Sequence, residues 1–252
     1  MEIDERPFIP DLRKYAILLD VDGTIVDLAP LPGDVHVLGS LKNSLSRLIG
    51  QTSGALALVS GRSLGDLDRL FAPLRLAAVG GHGAEFRPSP GAASNNEDPF
   101  GLEPELRERL IAIAGGGVVA EDKGYSVALH YRLAPDREKF VRDAVAEASA
   151  GPWSAPIEIL PGKFVVEVKH AGFNKATGVR KLMAHPPFAG RHPIFIGDDT
   201  TDESVFAIMP EFEGLAFSVG REVADVAGCF ATPADVRAWL ERIAPVRENA
   251  CP

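Results

Sequence analysis

Ala16-Ile17-Leu18-Leu19-Asp20-Val21-Asp22-Gly23-Thr24 is the stretch that decides the fold. A short apolar run bounded by turn residues reads as a buried strand, and the acidic, glycine-containing cluster behind it reads as the turn at its carboxyl end. Two more runs repeat the pattern, Ala55-Leu56-Ala57-Leu58-Val59 before Ser60-Gly61-Arg62, and Leu76-Ala77-Ala78-Val79. Between the first two, Leu38, Leu41, Leu45, Leu48 and Ile49 recur at helical spacing, as do Leu64, Leu67, Leu70 and Phe71 after the second. Buried strands that alternate with amphipathic helices imply a parallel sheet covered on both faces, because parallel strands need crossover connections. Near the end the same alternation returns in Pro193-Ile194-Phe195-Ile196, a helix from about Glu203 to Met209, Leu215-Ala216-Phe217, and a helix around Val236 to Ile243. The expected core is α/β, a Rossmann-like doubly wound parallel sheet.

The middle of the chain follows another rule. A helix near Glu105 to Ala114 precedes two alternating strands, Gly117 to Glu121 and Ser126 to Tyr131, joined by Asp122-Lys123-Gly124-Tyr125. A helix near Arg137 to Ala150 and a hairpin follow, Ile157 to Leu160 and Phe164 to Lys169, turning at Pro161-Gly162. Helix, hairpin, helix, hairpin predicts an antiparallel sheet with helices on one face, an inserted α+β domain. The Pro- and Gly-bearing stretch from Arg87 to Pro99 reads as the linker into it and Ala171-Gly172 as the return hinge. The expected organisation is a core of 1–101 and 173–252 with an insertion of 102–172.

Composition bounds the rest. The chain has 252 residues, 46% hydrophobic and 24% charged, with Gly 25 and Pro 20, which excludes disorder and collagen. No apolar stretch approaches the ~18 residues of a membrane span, and the acidic start lacks the features of a signal peptide. A soluble, cytoplasmic monomer is expected. The net charge of −9 carries no polybasic run, so nucleic acid and anionic membrane surfaces are not expected partners. Cys229 and Cys251 form neither a disulfide framework nor a zinc spacing.

In open parallel sheets, sites form outside the carboxyl ends of the strands. Those ends here carry Asp20-Val21-Asp22-Gly23-Thr24, Ser60-Gly61-Arg62 and Gly197-Asp198-Asp199-Thr200-Thr201-Asp202-Glu203, with Lys175 ahead of the late strand. Two carboxylates as close as Asp20 and Asp22 repel each other unless a proton or cation sits between them. A hard cation such as Mg2+ takes oxygen ligands, so Asp20, Asp198 and a main-chain carbonyl make a partial shell. Asp22, Asp199 and Asp202 lie in or beside the same crevice. Acidic residues at strand ends also cap helices, and Asp202-Glu203 by itself reads equally well that way; capping does not, however, require paired carboxylates at two distant strand ends.

On these residues the chain resembles the haloacid dehalogenase-like phosphohydrolases. Asp20-Val21-Asp22-Gly23-Thr24, Ser60, Lys175 and Gly197-Asp198-Asp199 are similar to that family's four motifs. The resemblance implies that Asp20 is the nucleophile, forming an aspartyl phosphate, and that Asp22 is the acid and base. Ser60 would then bond the transferring phosphoryl group and Lys175 balance its charge. It also implies Mg2+ as cofactor, with ligands drawn from Asp20, Asp22, Asp198 and Asp199. Fuller strings, Gly81-His82-Gly83-Ala84-Glu85, His130-Tyr131-Arg132 and Gly162-Lys163-Phe164-Val165-Val166-Glu167, resemble the trehalose-phosphatase branch of the family. That resemblance implies a sugar phosphate substrate, trehalose 6-phosphate, and a cap whose Glu121, Arg132, Lys163 and Glu167 hold the sugar. As an exposed cross-strand pair, Lys163 and Glu167 have an equally simple structural reading. Arg62 is expected to approach the phosphate or to form an ion pair, and His82 and Glu85 to face the cap or brace their loop. The family usually has Gly where Ala176 stands here, a change that suits a helix start. Two alternatives remain at this point: a phosphatase or phosphomutase for another sugar phosphate, and a non-catalytic sugar-phosphate sensor. A sensor would be expected to lack one of Asp20, Asp22, Lys175 or Asp198.

Overall fold

The computed structural model describes residues 9–28, 35–92, 101–162 and 164–245. Lys163 and the linker positions from 93 to 99 lie outside the described residues, as does Cys251. The chain divides into two compact units, Met1–Asn96 with Asn174–Pro252, and Glu97–Phe173.

The first unit begins with β1 (Tyr15–Leu19), α1 (Gly39–Gln51), β2 (Leu56–Val59), α2 (Leu64–Phe71), β3 (Ala77–Gly80) and β4 (Glu85–Arg87). The second unit contains α3 (Pro104–Ile111), β5 (Val119–Asp122), β6 (Ser126–His130), α4 (Glu138–Ser149), β7 (Ile157–Gly162) and β8 (Val165–His170). The chain then re-enters the first unit with α5 (Lys175–Met183), β9 (His192–Gly197), α6 (Thr200–Phe206), β10 (Leu215–Val219), β11 (Gly228–Phe230) and α7 (Pro233–Ile243).

Seven strands of the first unit form one sheet in the order β11-β10-β9-β1-β2-β3-β4, parallel except for the last pair. Burial on both faces follows from strand alternation. Ile17 and Leu19 join one apolar cluster with Leu41, Leu45 and Leu48 of α1, Leu67 of α2 and Trp239 of α7. Ala16 and Leu18 join the opposite cluster with Val179 and Leu182 of α5 and Val205 of α6. From β1 the chain leaves to β2 on one side, and β9 lies on the other, so the junction of β1 and β9 is where strand order reverses. A crevice opens outside the carboxyl ends at such a point.

Three elements differ from the sequence expectation. Arg87 does not begin a linker: it ends β4 and is 1% exposed. Its guanidinium bonds Asp68 at 2.8 and 2.6 Å and the Leu76 carbonyl at 2.9 Å. A three-residue edge strand has too little periodicity to be read from sequence. Similarly, β11 is short and was not expected. Finally, α6 starts at Thr200, earlier than expected, because Asp199 and Asp202 form a reciprocal capping box.

In the second unit the sheet order is β5-β6-β8-β7, antiparallel throughout. Leu106, Leu110, Val141 and Val145 of the helices pack on Val127, Leu129, Val166 and Val168. That parity leaves Ser126, Ala128, His130, Glu167 and Lys169 on the other face.

Candidate active site

The end of β1 meets the end of β9, where the Asp20 amide bonds the Ile196 carbonyl at 2.9 Å. Asp20 is 4% exposed. The chain then turns at Gly23, whose φ of +80° favours glycine; a Cβ there would lie 2.0 Å from Asp198 Oδ2, so a side chain would push Asp198 out of place. The Thr24 hydroxyl lies 3.0 Å from Asp20 Oδ2 and 3.2 Å from Asp198 Oδ1, bracing the two carboxylates.

Lys175 reaches the cluster because the start of α5 is fixed. Asn174 caps the helix, accepting the Thr177 amide at 2.8 Å, while the Thr177 hydroxyl accepts the Asn174 amide at 3.2 Å. Gly83 makes room for that cap: a Cβ on it would stand 2.2 Å from the Asn174 carbonyl oxygen. From this position Lys175 Nζ donates to Asp20 Oδ1 and Asp202 Oδ1, both at 2.7 Å. Ala176, at the second helical position, is buried and fits the helix.

Oxygens of Asp20, Asp198 and Asp202 all lie within 4.8 Å of one another. Burial pushes Asp198 up to about 7, reinforced by the charges of Asp20 and Asp202 and a hydrogen bond with Asp20, against the Thr24 hydroxyl. Burial also pushes Asp202 up to about 7, together with the charge of Asp20 and against Lys175. For Lys175, burial works to lower its pKa, but the charges and hydrogen bonds of Asp20 and Asp202 outweigh it and hold it above the ordinary lysine value. One ammonium thus faces three carboxylates. An all-oxygen donor set with excess negative charge fits a divalent cation, and Asp20, Asp198 and Asp202 are the side chains that would hold it.

The expected ligand set, Asp20, Asp22, Asp198 and Asp199, overlaps this group at Asp20 and Asp198. The Asp22 carboxylate is gripped by Arg62, whose Nε and Nη2 donate to its two oxygens, each at 2.6 Å. Asp199 caps α6 and accepts the Thr200 amide at 2.7 Å. Neither belongs to the acidic group. Asp202, which the sequence places in or beside the crevice and which reads equally well as a cap, is fully buried and does both jobs: one oxygen accepts the Asp199 amide at 3.0 Å and the other faces Lys175.

Ser60 is 1% exposed, and its hydroxyl accepts the Arg62 amide at 3.1 Å. Glu85 accepts the amide of Leu64 at the first position of α2, so it braces a helix start. His82 has a φ of +54°, its amide donates to the Ser60 carbonyl at 3.1 Å, and its ring packs where a Cβ on Gly61 would sit. Both residues tie the β2 and β3 loops together.

In the second unit, Glu121 and Glu167 stand in register with Ala128 on either side of β6, on the face away from the helices. Glu121 bonds the His130 ring at 3.0 Å, which holds its carboxyl below the usual range despite partial burial. Glu167 accepts the Ser126 hydroxyl at 2.6 Å and pairs with Lys123 at 3.3 Å. Arg132 lies over the Phe164 ring, 5.6 Å from its centre. Thr24, Ser126 and Lys123 were not singled out from sequence, where a lone hydroxyl or lysine carries no signal.

Comparison with known proteins gives one consistent picture. The family model described as trehalose-phosphatase matches residues 18–235. A probable trehalose-phosphate phosphatase of Sinorhizobium fredii is 43% identical over 218 residues, covering 84% of this chain and 80% of the relative. The trehalose-6-phosphate phosphatase of Escherichia coli is 36% identical over 237 residues, covering 93% and 88%. Among solved structures, a trehalose-6-phosphate phosphatase related protein superposes with a TM-score of 0.72 at 25% identity, covering 91% of this chain and 96% of that one. The C-terminal domain of the Candida albicans trehalose-6-phosphate phosphatase reaches 0.74 at 20% identity, over 92% of each chain, and supports the fold.

Proposed function

The chain belongs to the trehalose-phosphatase family, and we propose that it hydrolyses trehalose 6-phosphate to trehalose and inorganic phosphate, with Mg2+ as its metal. The buried cluster of Asp20, Lys175, Asp198 and Asp202 at the strand ends is the observation that carries this reading.

In this reading Asp20 attacks phosphorus. The bond from phosphorus to the sugar oxygen breaks, leaving an aspartyl phosphate, and Asp22, once it has left its ion pair with Arg62 and taken up a proton, protonates the departing oxygen. Water then attacks phosphorus, Asp22 takes a proton from it, and Asp20 leaves as carboxylate with release of phosphate. The Lys175 and Thr24 bonds to the two Asp20 oxygens restrict its rotation, which is how a nucleophile is kept aligned. Ser60 and Lys175 act on the phosphoryl oxygens as donors. Asp20, Asp198 and Asp202 would hold a divalent cation, which when bound would supply positive charge against the dianionic ester. Without substrate, Arg62 holds Asp22 as a carboxylate from the neighbouring strand end, and that pair must open for Asp22 to act.

The unit 97–173 serves as the cap, and the sheet face away from its helices carries Glu121, Glu167 and Lys123 as the mixture of acceptors and donors that sugar hydroxyls require, with buried Ser126 holding Glu167 in place. Lys163 and Arg132 belong to the same proposal. The protein acts as a cytoplasmic monomer in this reading. Among the described residues no helix is long and apolar enough to cross a membrane.

Phosphate release across purified sugar phosphates tests the proposal. Trehalose 6-phosphate should exceed glucose 6-phosphate, sucrose 6-phosphate and mannosylphosphoglycerate in kcat/KM by at least tenfold, and Asp20→Asn should reduce turnover to background. A different preferred ester would replace the substrate. Absence of turnover on every ester, with binding retained, would indicate a sensor.

A further inference from the structure

Arg221 was not marked by any sequence pattern, yet it makes contacts that bear on the acidic cluster. It follows the end of β10 after Gly220, whose φ is +70°. Its Nε donates to the Asp198 carbonyl at 2.8 Å, its Nη2 to the Asp199 carbonyl at 3.0 Å, and its Nη1 pairs with Glu203 at 2.8 Å. The two carbonyls are consecutive. Because each peptide is planar, holding both oxygens fixes the orientation of two successive peptide planes and so the backbone that links Asp198 to the start of α6. Asp198 lies at one end of that segment and Asp202 lies one turn into the helix at the other. Two of the three cluster carboxylates are thus carried on backbone that a single guanidinium clamps.

We infer that Arg221 is a positioning residue for the divalent metal: it sets the spacing of Asp198 and Asp202 through their backbone, touching neither the metal nor the substrate. The inference rests on the metal reading given above. A planar fork is what the contact demands, since one ammonium cannot hold two carbonyls and a carboxylate in the same geometry. The sign of the effect is informative. The guanidinium is a positive charge near an acidic site, so by Coulomb's law alone its removal would tighten cation binding. If positioning dominates, removal weakens it.

The experiment uses the full chain stripped of metal by chelation, with Mg2+ and Mn2+ binding followed by titration calorimetry and by the metal-induced rise in Tm. Arg221→Met removes both fork and charge, and Arg221→Lys keeps the charge but not the fork. Both should weaken metal binding by about 10–100-fold, the usual loss when an outer partner of a metal site is removed. Arg180→Met is the control: it removes a guanidinium that makes two bonds to the Glu211 carboxylate and none to the Asp198 or Asp199 backbone, and should leave metal affinity unchanged. Should Arg221→Met fail to fold, Arg221→Lys decides. Unchanged or tighter binding in the Arg221 variants overturns the inference, as does a lower metal-free Tm with unchanged affinity, which would make Arg221 a structural residue only. If the wild-type protein binds neither metal, the metal reading itself falls and the inference falls with it.

Discussion

Replacing Lys175 with Met tests the electrostatics of the core directly. The side chains have similar length, but Met removes the ammonium and two 2.7 Å bonds from a site where Lys175 and Asp20 are each 4% exposed and Asp202 is 0% exposed. Breaking a buried ion pair by removing one partner costs about 3–5 kcal/mol, because the remaining charge is left uncompensated. For a protein of this size 1 kcal/mol corresponds to roughly 2–4 °C, so the metal-free Tm should fall by roughly 6–20 °C at pH 8. The pH matters through the acids. The raised lysine stays charged in both states below its unfolded value of 10.5, so between pH 6 and 8 it does not itself titrate and any pH dependence comes from its acidic partners. Asp198 and Asp202, raised from 3.8 to about 7, bind more protons folded than unfolded across that window, so their ionisation erodes stability as pH rises. At pH 6 the carboxylates can take up protons in place of the lost ammonium, and the deficit should shrink. Thermal unfolding followed by Trp239 fluorescence in a Trp153→Phe background reports on the unit that contains the site. Divalent metal should restore part of the loss while activity stays near background. A Tm within about 2 °C of the parent at pH 8, with turnover retained, would refute both the buried-pair accounting and the catalytic role of Lys175.

The same acids predict proton-linked metal binding: affinity for Mg2+ should rise as pH increases from 6 to 8, with proton release detectable as a buffer-dependent calorimetric heat. Glu167→Ala should lower kcat/KM for trehalose 6-phosphate by roughly tenfold to a hundredfold, the value of a hydrogen bond to a charged group, and change kcat/KM for an aryl phosphate much less. Equal losses on both substrates would show that Glu167 supports the cap and not the sugar. Arg87→Met should destabilise the first unit by about 1–3 kcal/mol in equilibrium urea unfolding, because it leaves the Leu76 carbonyl without its buried donor while Asp68, a third exposed, still faces Arg75, and it should leave KM unchanged.

The sequence by itself determined the architecture of the core and the chemistry at its edge. Runs such as Ala16 to Leu19 separated by amphipathic helices admit few arrangements other than a parallel sheet buried on both faces, and in such a sheet the site forms outside the carboxyl ends of the strands. Periodicity is a local property, so it survives in one dimension. Asp20 and Asp198 stand in acidic strings at strand ends and were marked for that reason, whereas Lys175 was marked only through the resemblance to a family motif. What a side chain touches is a property of the fold and is not written locally. Only the tertiary structure turned Asp22 toward Arg62 and Asp199 toward the first turn of α6, and brought Asp202 beside Asp20 and Asp198. Asp202 fits a helix-capping pattern in sequence, and nothing nearby shows that its second oxygen faces a lysine 27 residues earlier. Arg87 and Arg221 were invisible for a stronger reason: their roles depend on partners 19 and 23 residues away whose approach is set by strand pairing and loop closure. An ionic contact between distant residues leaves no period in the chain, so it appears only when folding brings the charges together.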